Sequence, residues 1–341
     1  MTIAGNQWYA AAWDGEVGAK PFARTICGRP IVFYRRLDGV PVALRDACPH
    51  RLMPLSLGTR EGDSLRCKYH GMKINADGEI EEMPLRSDTA PRGLCAQAYP
   101  AVERHRLVWV WIGETDKADP ALIPDLWPCS APDWVFDGGY YRIACEYRLL
   151  IDNLMDLTHE TFVHGDSIGQ RELMEVPMET TVAGDKVVLT RWMPDIEAPP
   201  FWRANLKKSL RVDRWQICHF VAPSNVMIDV GVAPVEAGAS VADHDQGVRG
   251  MVINAMTPGQ GNEVHYFWGM ARRFDTGDRG LTERIKAGQH RIFGEDVEIL
   301  EAQQVAIDRN PDLTLRTFSI DAGGAHARRI IDRLAKAGGS A

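Results

Sequence analysis

The stretch CPHRLMPLSLGTREGDSLRCKYHG, Cys48 to Gly71, contains two thiol–imidazole pairs: Cys48-x-His50 and, sixteen residues later, Cys67-x-x-His70. Each half offers one thiolate and one imidazole from a tight loop, with Pro49 and Gly71 as turn residues. A structural Cys2His2 zinc site uses the same ligand types, but its usual spacing is a cysteine pair followed by a histidine pair. Here each pair is mixed. A Rieske [2Fe–2S] centre requires two thiolates on one iron and two imidazoles on the other, and two mixed loops meet that requirement directly.

Working outwards, the flanking runs are β-rich. RTICG, RPIVFYRR and VPVALRD read as strands, with Asp38-Gly39 as a hairpin turn between the last two. MKINADGEIEEMP is a second hairpin, turning at Asp77-Gly78, and RLVWVWIGE, apolar on both faces, is a buried closing strand. Residues 1–115 are therefore expected to form an all-β cluster domain. The Asp-, Pro- and Ala-rich texture that follows marks 116–138 as a linker or crossover, and 139–341 as a second domain. That second part offers the hairpin METTVAGDKVVLTRW, four more strands, and helical patterns over about Leu281–Ile307 and Gly323–Lys336. The expected class is α+β, with an antiparallel sheet and long C-terminal helices.

The 341 residues, 45% hydrophobic and 25% charged, suffice for about two domains with cores of their own. A net charge of −7 leaves no basic surplus for nucleic acid. No apolar run approaches the ~20 residues that span a bilayer, and no basic leader precedes one, so a cytoplasmic protein is expected. The cysteine count, seven, is odd and the positions are scattered, which suits reduced thiols. Cys27, Cys95, Cys129, Cys145 and Cys218 lack ligand-like partners and read as packing residues.

A second stretch, DNLMDLTHETFVH from Asp152 to His164, carries acids and imidazoles on a helical pattern. At 100° per residue Asp156 falls about 40° from Asp152, and His159 about 20° the other way, so the three share a face. Asn153 and His164 lie at its edge. Alone, this is the solvated face of an amphipathic helix. Beside an electron-transfer centre it suggests non-haem iron, which activates O2 on two histidines and one carboxylate with the other positions open. The spacing of five separates His159 from His164 by about 140°, so the helix must loosen or end between Thr161 and His164.

The carboxylate has to come from elsewhere. In QHRIFGEDVEILEAQQ, with Ile292 at zero, Ile285, Phe293, Ile299 and Leu300 form an apolar stripe within about 100°. Asp296 falls inside that stripe, at about 40°, whereas Glu295, Glu298 and Glu301 fall outside it. A buried carboxylate is costly unless paired or bound to metal, which makes Asp296 the third-ligand candidate. Asp156, one turn before His159, is placed to accept from that imidazole or to bridge to a cluster histidine. Asp156 and Asn153 are the candidate catalytic residues beside the metal. For the substrate pocket Trp202, Arg203, His265 and Trp268 are conceivable.

These motifs resemble those of the Rieske non-haem iron oxygenases. CPHRLMPL…CKYHG is similar to the family's cluster motif and DNLMDLTHETFVH to its mononuclear-iron motif. NQWYAAAW, APPFWRANL, RWQICHF and IDAGGAHARR read like the vanillate O-demethylase oxygenase components, with dicamba O-demethylase more distant. The resemblance implies a Rieske β domain followed by a helix-grip catalytic domain. It also implies a homotrimer in which Asp156 bridges a neighbour's His70 to His159. Cys48, His50, Cys67 and His70 would hold the cluster, and His159, His164 and Asp296 the Fe(II). Electrons would come from a separate flavin/ferredoxin-type reductase, since no GxGxxG opens a βαβ unit here. The implied reaction is O-demethylation of a methoxylated aromatic acid with O2, vanillate giving protocatechuate and formaldehyde. Another aromatic acid is the nearest alternative. A non-catalytic Rieske electron carrier is the alternative of another class, and the second metal motif argues against it.

Overall fold

The computed structural model of the protein describes residues 2–84, 89–165, 167–206 and 211–338. Two compact units divide the chain. The first takes the chain through Ile123, the Thr257–Gly261 segment and the residues from Leu334, and the second takes the rest.

The first unit is all-β. Its strands are β1 (Gln7–Trp13), β2 (Phe22–Ile26), β3 (Arg29–Arg35), β4 (Pro41–Arg45), β5 (Thr59–Glu61) and β6 (Ser64–Arg66). There follow β7 (Lys73–Ile74), β8 (Ile80–Glu82), β9 (Ala98–Tyr99), β10 (Ala101–Arg104) and β11 (Leu107–Ile112). They form three sheets, ordered β1-β11-β10, β2-β3-β4-β9 and β5-β6-β7-β8. Strand β11, LVWVWI, is buried along its whole length. Its period-2 alternation sends Val108, Val110 and Ile112 into one core with Tyr9, Ile31 and Phe33, while Trp111 lies edge-on to Trp8 at 5.4 Å. A second core of Val32, Tyr34, Leu44, Leu65 and Ile74 includes Cys48 and Cys67.

After short 3-10 turns, the last of which buries Pro128 and Cys129 with Leu126 buried just before it, the second unit is built on a seven-stranded antiparallel sheet. Its strands are β12 (Val135–Ile143), β13 (Glu179–Ala183), β14 (Lys186–Glu197), β15 (Arg211–Val221), β16 (Asn225–Pro234), β17 (Val248–Pro258) and β18 (Val264–Arg272). Their order in the sheet is β12-β18-β17-β16-β15-β14-β13. The helices are α1 (Tyr147–Leu154), α2 (Glu160–Val163), α3 (Glu172–Glu175), α4 (Pro200–Asn205), α5 (Arg279–Arg309) and α6 (Ala322–Gly338). Asp278 caps α5 by accepting from Leu281 N. The buried face of α5 is Leu281, Ile285, Phe293, Asp296, Leu300 and Gln304, and the helix packs against β12 and β18. Ile299, expected in that stripe, is 48% exposed, so the apolar band is narrower than the wheel suggested.

The helix expected to run from Asp152 and to loosen or end between Thr161 and His164 is broken earlier than its pattern predicts. Helix α1 ends at Leu154, and Asp156 caps a 3-10 turn over Leu157–His159 by accepting from Thr158 N at 2.9 Å. An aspartate side chain that can satisfy a free backbone N–H favours a cap over a helix interior. Asp152, Asp156 and His159 therefore do not share a face. Asp152 turns to α6, where Arg328 grips its carboxylate at 2.5–2.9 Å. Gly323 and Gly324 permit that approach: an added Cβ would lie 2.7 Å from Met155 O or 2.8 Å from Asp152 Oδ1.

Candidate metal centres and cavity

In the first unit two loops of one design carry the thiol–imidazole pairs. Cys48 N donates to Met53 O and Leu52 N to Cys48 O; Cys67 N donates to Met72 O and Gly71 N to Cys67 O, all at 2.8–3.0 Å. Leu52 and Gly71 occupy the same place in the two loops, and both have left-handed backbone, at φ of 58° and 76°. The thiols point inward, with Cys48 and Cys67 at 1% and 3% exposure, while both imidazoles are exposed with their rings 4.6 Å apart. Burial, partly offset by backbone N–H groups of His50 and Arg51, pushes the Cys48 thiol up to about 11, with Cys67 beside it adding to the rise. Two buried thiols and two exposed imidazoles are the donor set of a Rieske centre, with the sulfur side inside the protein. Of the remaining cysteines, Cys27, Cys129, Cys145 and Cys218 are buried as packing residues would be; Cys95 is exposed, so packing does not account for it.

In the second unit the chain brings together His159, His164 and Asp296, one donor atom from each lying within 4.8 Å of the others. The 3-10 turn and the four-residue α2 between the histidines solve the spacing problem. They let both Nε2 atoms converge on Asp296 Oδ1, at 3.4 and 3.3 Å. Each histidine is anchored through its other nitrogen: His159 Nδ1 to Asp156 O at 2.7 Å, and His164 Nδ1 to Glu295 Oε2 at 2.6 Å. That leaves both Nε2 lone pairs for a metal. The anchor on His159 is the Asp156 carbonyl, not the carboxylate expected from the sequence. Asn153 Nδ2 donates to Asp296 Oδ1 at 3.1 Å, while Asn153 Oδ1 is buried with no partner among the described residues.

Burial alone would raise Asp296 and lower both histidines. Their mutual hydrogen bonds and opposite charges outweigh it, holding Asp296 at about 2 and both imidazoles above their usual value. Two neutral nitrogens and a carboxylate on one face are the donor set of a non-haem iron that keeps positions open.

The triad opens on a cavity of about 450 Å³, lined mainly by apolar residues such as Leu157, Ile228, Val252, Met270 and Phe293. Trp202 lines it as well. Arg203, His265 and Trp268 do not: Arg203 pairs with Glu197, His265 Nδ1 meets Tyr140 Oη at 2.8 Å, and Trp268 packs on Tyr141 and Phe293. Two functional residues escaped the sequence reading. Glu295, assigned to the outer face of α5, reaches back to His164. Glu160, next to His159, is 5% exposed and accepts two hydrogen bonds from Gln216 Nε2 at 2.9 Å, with the guanidinium of Arg214 3.6 Å away.

Comparisons with known proteins agree with both centres. The Rieske [2Fe-2S] domain matches residues 7–100, and the vanillate O-demethylase oxygenase C-terminal domain matches residues 143–337. The vanillate O-demethylase oxygenase subunit of Pseudomonas sp. strain HR199 is 46% identical over 96% of this chain and 94% of its own length. The iron-sulfur subunit of the toluene-4-sulfonate monooxygenase system of Comamonas testosteroni is 36% identical over 98% and 99%. Among solved structures, dicamba monooxygenase bound to 3,6-dichlorosalicylic acid superposes with a TM-score of 0.91 at 30% identity, covering 99% of each chain. Dicamba monooxygenase with non-haem iron and dicamba gives 0.86 at 29% identity, with 99% and 98% covered. The fold is that of a Rieske β domain and a helix-grip catalytic domain, and the cofactors are a Rieske [2Fe–2S] cluster and a mononuclear iron. With both halves matched and the likeness running end to end, the chain belongs to the Rieske non-haem iron oxygenases that carry the vanillate O-demethylase oxygenase C-terminal domain.

Proposed function

We propose that this protein is the terminal oxygenase of an aromatic O-demethylase, converting vanillate to protocatechuate and formaldehyde with O2 and two electrons from an NAD(P)H-dependent reductase. One observation carries the reading: the His159–His164–Asp296 triad sits on the wall of an apolar cavity of about 450 Å³, a volume that suits a small-molecule ligand such as a single substituted aromatic ring. In this reading Cys48, His50, Cys67 and His70 hold the cluster, and the triad holds the iron. The bound metals supply one-electron transfer and O2 activation.

The protein's own residues do the rest. Asp156 O and Glu295 fix the imidazole tautomers, and Asn153 orients Asp296. Leu157, Ile228, Val252 and Met270 would exclude water and hold the ring with its methoxy carbon towards the His159–His164–Asp296 end of the cavity. Hydroxylation of that carbon gives a hemiacetal, which breaks its C–O bond to leave the phenol and formaldehyde. One oxygen atom enters the methyl group and the other leaves as water, which accounts for both electrons.

The remaining assignments belong to the same proposal. The assembly is a homotrimer, supported by the family likeness and by the outward-facing His50 and His70, and Asp156 is the link to a neighbour's cluster. The location is the cytoplasm, supported by seven cysteines none of which is in a disulfide and by the lack, among the described residues, of a helix long and apolar enough to cross a membrane. The test supplies purified protein with NADH and a ferredoxin-type reductase and assays a panel of methoxybenzoates. Equimolar formaldehyde and protocatechuate from vanillate are expected. A ring-hydroxylated product without formaldehyde would overturn the proposal.

A further inference from the structure

Two buried guanidiniums stand at the polar part of the cavity wall, with too little negative charge beside them for both. Arg214 and Gln216 share one face of β15, two residues and so about 6.6 Å apart, and Arg191 on β14 is the register partner of Gln216. Arg191 and Arg214 are 1% and 4% exposed. Arg191 donates to Gln216 Oε1 and Thr158 Oγ1, and no carboxylate of a described residue is in ion-pair contact with it. Arg214 Nη1 donates to Gln170 Oε1, while Nη2 faces Glu160 Oε2 at 3.6 Å, too long for a hydrogen bond. Both Glu160 oxygens already accept from Gln216 Nε2 at 2.9 Å. Burial pulls both guanidiniums below their ordinary value and Glu160 offsets this only in part; at Arg214 the nearby Arg191 adds to the fall.

Of the two, Arg214 lines the cavity, together with Gln216 and Glu160. Its Nε and Nη2 donate to no described residue, yet neither is closed off, in contrast to Arg191 Nε, which is buried and unpartnered. These two nitrogens form one edge of the guanidinium, the fork that takes a carboxylate by both oxygens at once. The surroundings offer no second counter-charge: Val232, the register partner of Arg214 on β16, belongs to the apolar cluster of Trp202, Met270, Leu281 and Ile285. The other cation on the wall, Arg284, is 69% exposed and keeps its charge in water. A buried cation short of a counter-charge is costly, and a ligand carboxylate on the open edge removes that cost. Glu160 follows His159 directly in the chain, so the arginine and the metal triad face one cavity from adjoining parts of its wall.

We infer that Arg214 selects an anionic substrate: the Nε–Nη2 edge of its guanidinium takes the carboxylate of an aromatic acid whose ether carbon faces the triad, while Gln170 and Glu160 hold the arginine in place. This inference rests on the aromatic-acid reading above.

The test is calorimetric binding of vanillate and of guaiacol, which lacks only the carboxylate, to anaerobic protein carrying cluster and iron, with iron content matched between variants. Wild type should prefer vanillate. Arg214→Gln should weaken vanillate roughly 10- to 100-fold, the range for hydrogen bonds to a charged group, and change guaiacol less than about twofold. Arg214→Lys keeps the charge but not the two-donor edge, so a smaller loss of vanillate, roughly 3- to 10-fold, is expected. Glu160→Gln removes the carboxylate that competes for Arg214 and should tighten vanillate several-fold relative to guaiacol, a gain that a damaged fold cannot imitate. Equal affinity of wild type for both ligands, parallel loss of both ligands in the two Arg214 variants, or no relative gain in Glu160→Gln would overturn the inference. Formaldehyde release is assayed separately. A carboxylate-selective protein that releases none would lose the demethylase reading and keep this one, and a protein that demethylates guaiacol as readily as vanillate would do the reverse.

Discussion

Glu295 is the residue through which the iron site can be perturbed without touching a ligand. Its carboxylate accepts from His164 Nδ1 at 2.6 Å, the shorter of that ring's two carboxylate contacts and the one on the side away from the metal position. Removing such a partner usually costs 10- to 100-fold in metal affinity, roughly 1.4–2.8 kcal/mol. The Glu295 side chain is 35% exposed, so water can reach the vacated position in Glu295→Ala, and the lower end, about tenfold, is expected. Glu295→Gln still offers an oxygen to Nδ1 and loses only the charge, so about two- to threefold is expected. The assay is an anaerobic Fe(II) titration against a chromophoric chelator. The cluster's visible absorption serves as internal control, since its four candidate ligands belong to the other unit. Wild-type iron affinity in Glu295→Ala would refute the anchoring role. Parallel loss of cluster and iron would show a general loss of fold instead.

Other expectations follow from the same contacts. Gly324→Ala and Gly323→Ala should each cost about 1–3 kcal/mol, because the new methyl would press on Asp152 or on Met155 O. Gly277→Ala, with nothing within 4 Å, should leave the unfolding temperature unchanged, and equal behaviour of the three would contradict the packing argument. In metal-free protein the raised His159 and His164 values contribute stability that is present below about 6.5 and lost as pH rises through their folded values. The Asp296 contribution is present above about 3.8 and lost as pH falls towards 2. Iron needs both Nε2 atoms neutral, so at fixed free Fe(II) its stabilising effect should grow from about pH 5.5 to about pH 8, and a shrinking effect in a thermal scan would contradict the ligand assignment. Cys67→Ser should lose the brown colour and acid-labile sulfide while keeping the mononuclear iron, which elemental analysis would read.

Much of the first unit was legible because the unbroken apolar run of β11 marks a strand buried on both faces, and the turns at Asp38-Gly39 and Asp77-Gly78 join antiparallel neighbours as expected. Asp296 was legible for the opposite reason: it breaks the apolar stripe of α5, and only a partner explains a carboxylate there. Glu295 was not, because a charge just outside the stripe looks like any solvated residue until His164 is seen beside it. Glu160 was hidden for the same reason, its partners Arg214 and Gln216 coming from β15. The early end of α1 had a local signal in Asp156, an N-cap residue set before Leu157-Thr158-His159, but helical spacing across the whole stretch masked it.

The most direct test of the central claim is a single turnover. Protein with intact cluster is prepared with and without Fe(II) at the mononuclear site, reduced chemically without oxygen, mixed with vanillate and exposed to O2. Formaldehyde and protocatechuate are expected in equal amounts, in proportion to the mononuclear iron, and neither product when that iron is absent or when Asp296→Ala prevents it from binding. Products formed equally well without mononuclear iron, or none from fully loaded protein, would contradict that claim.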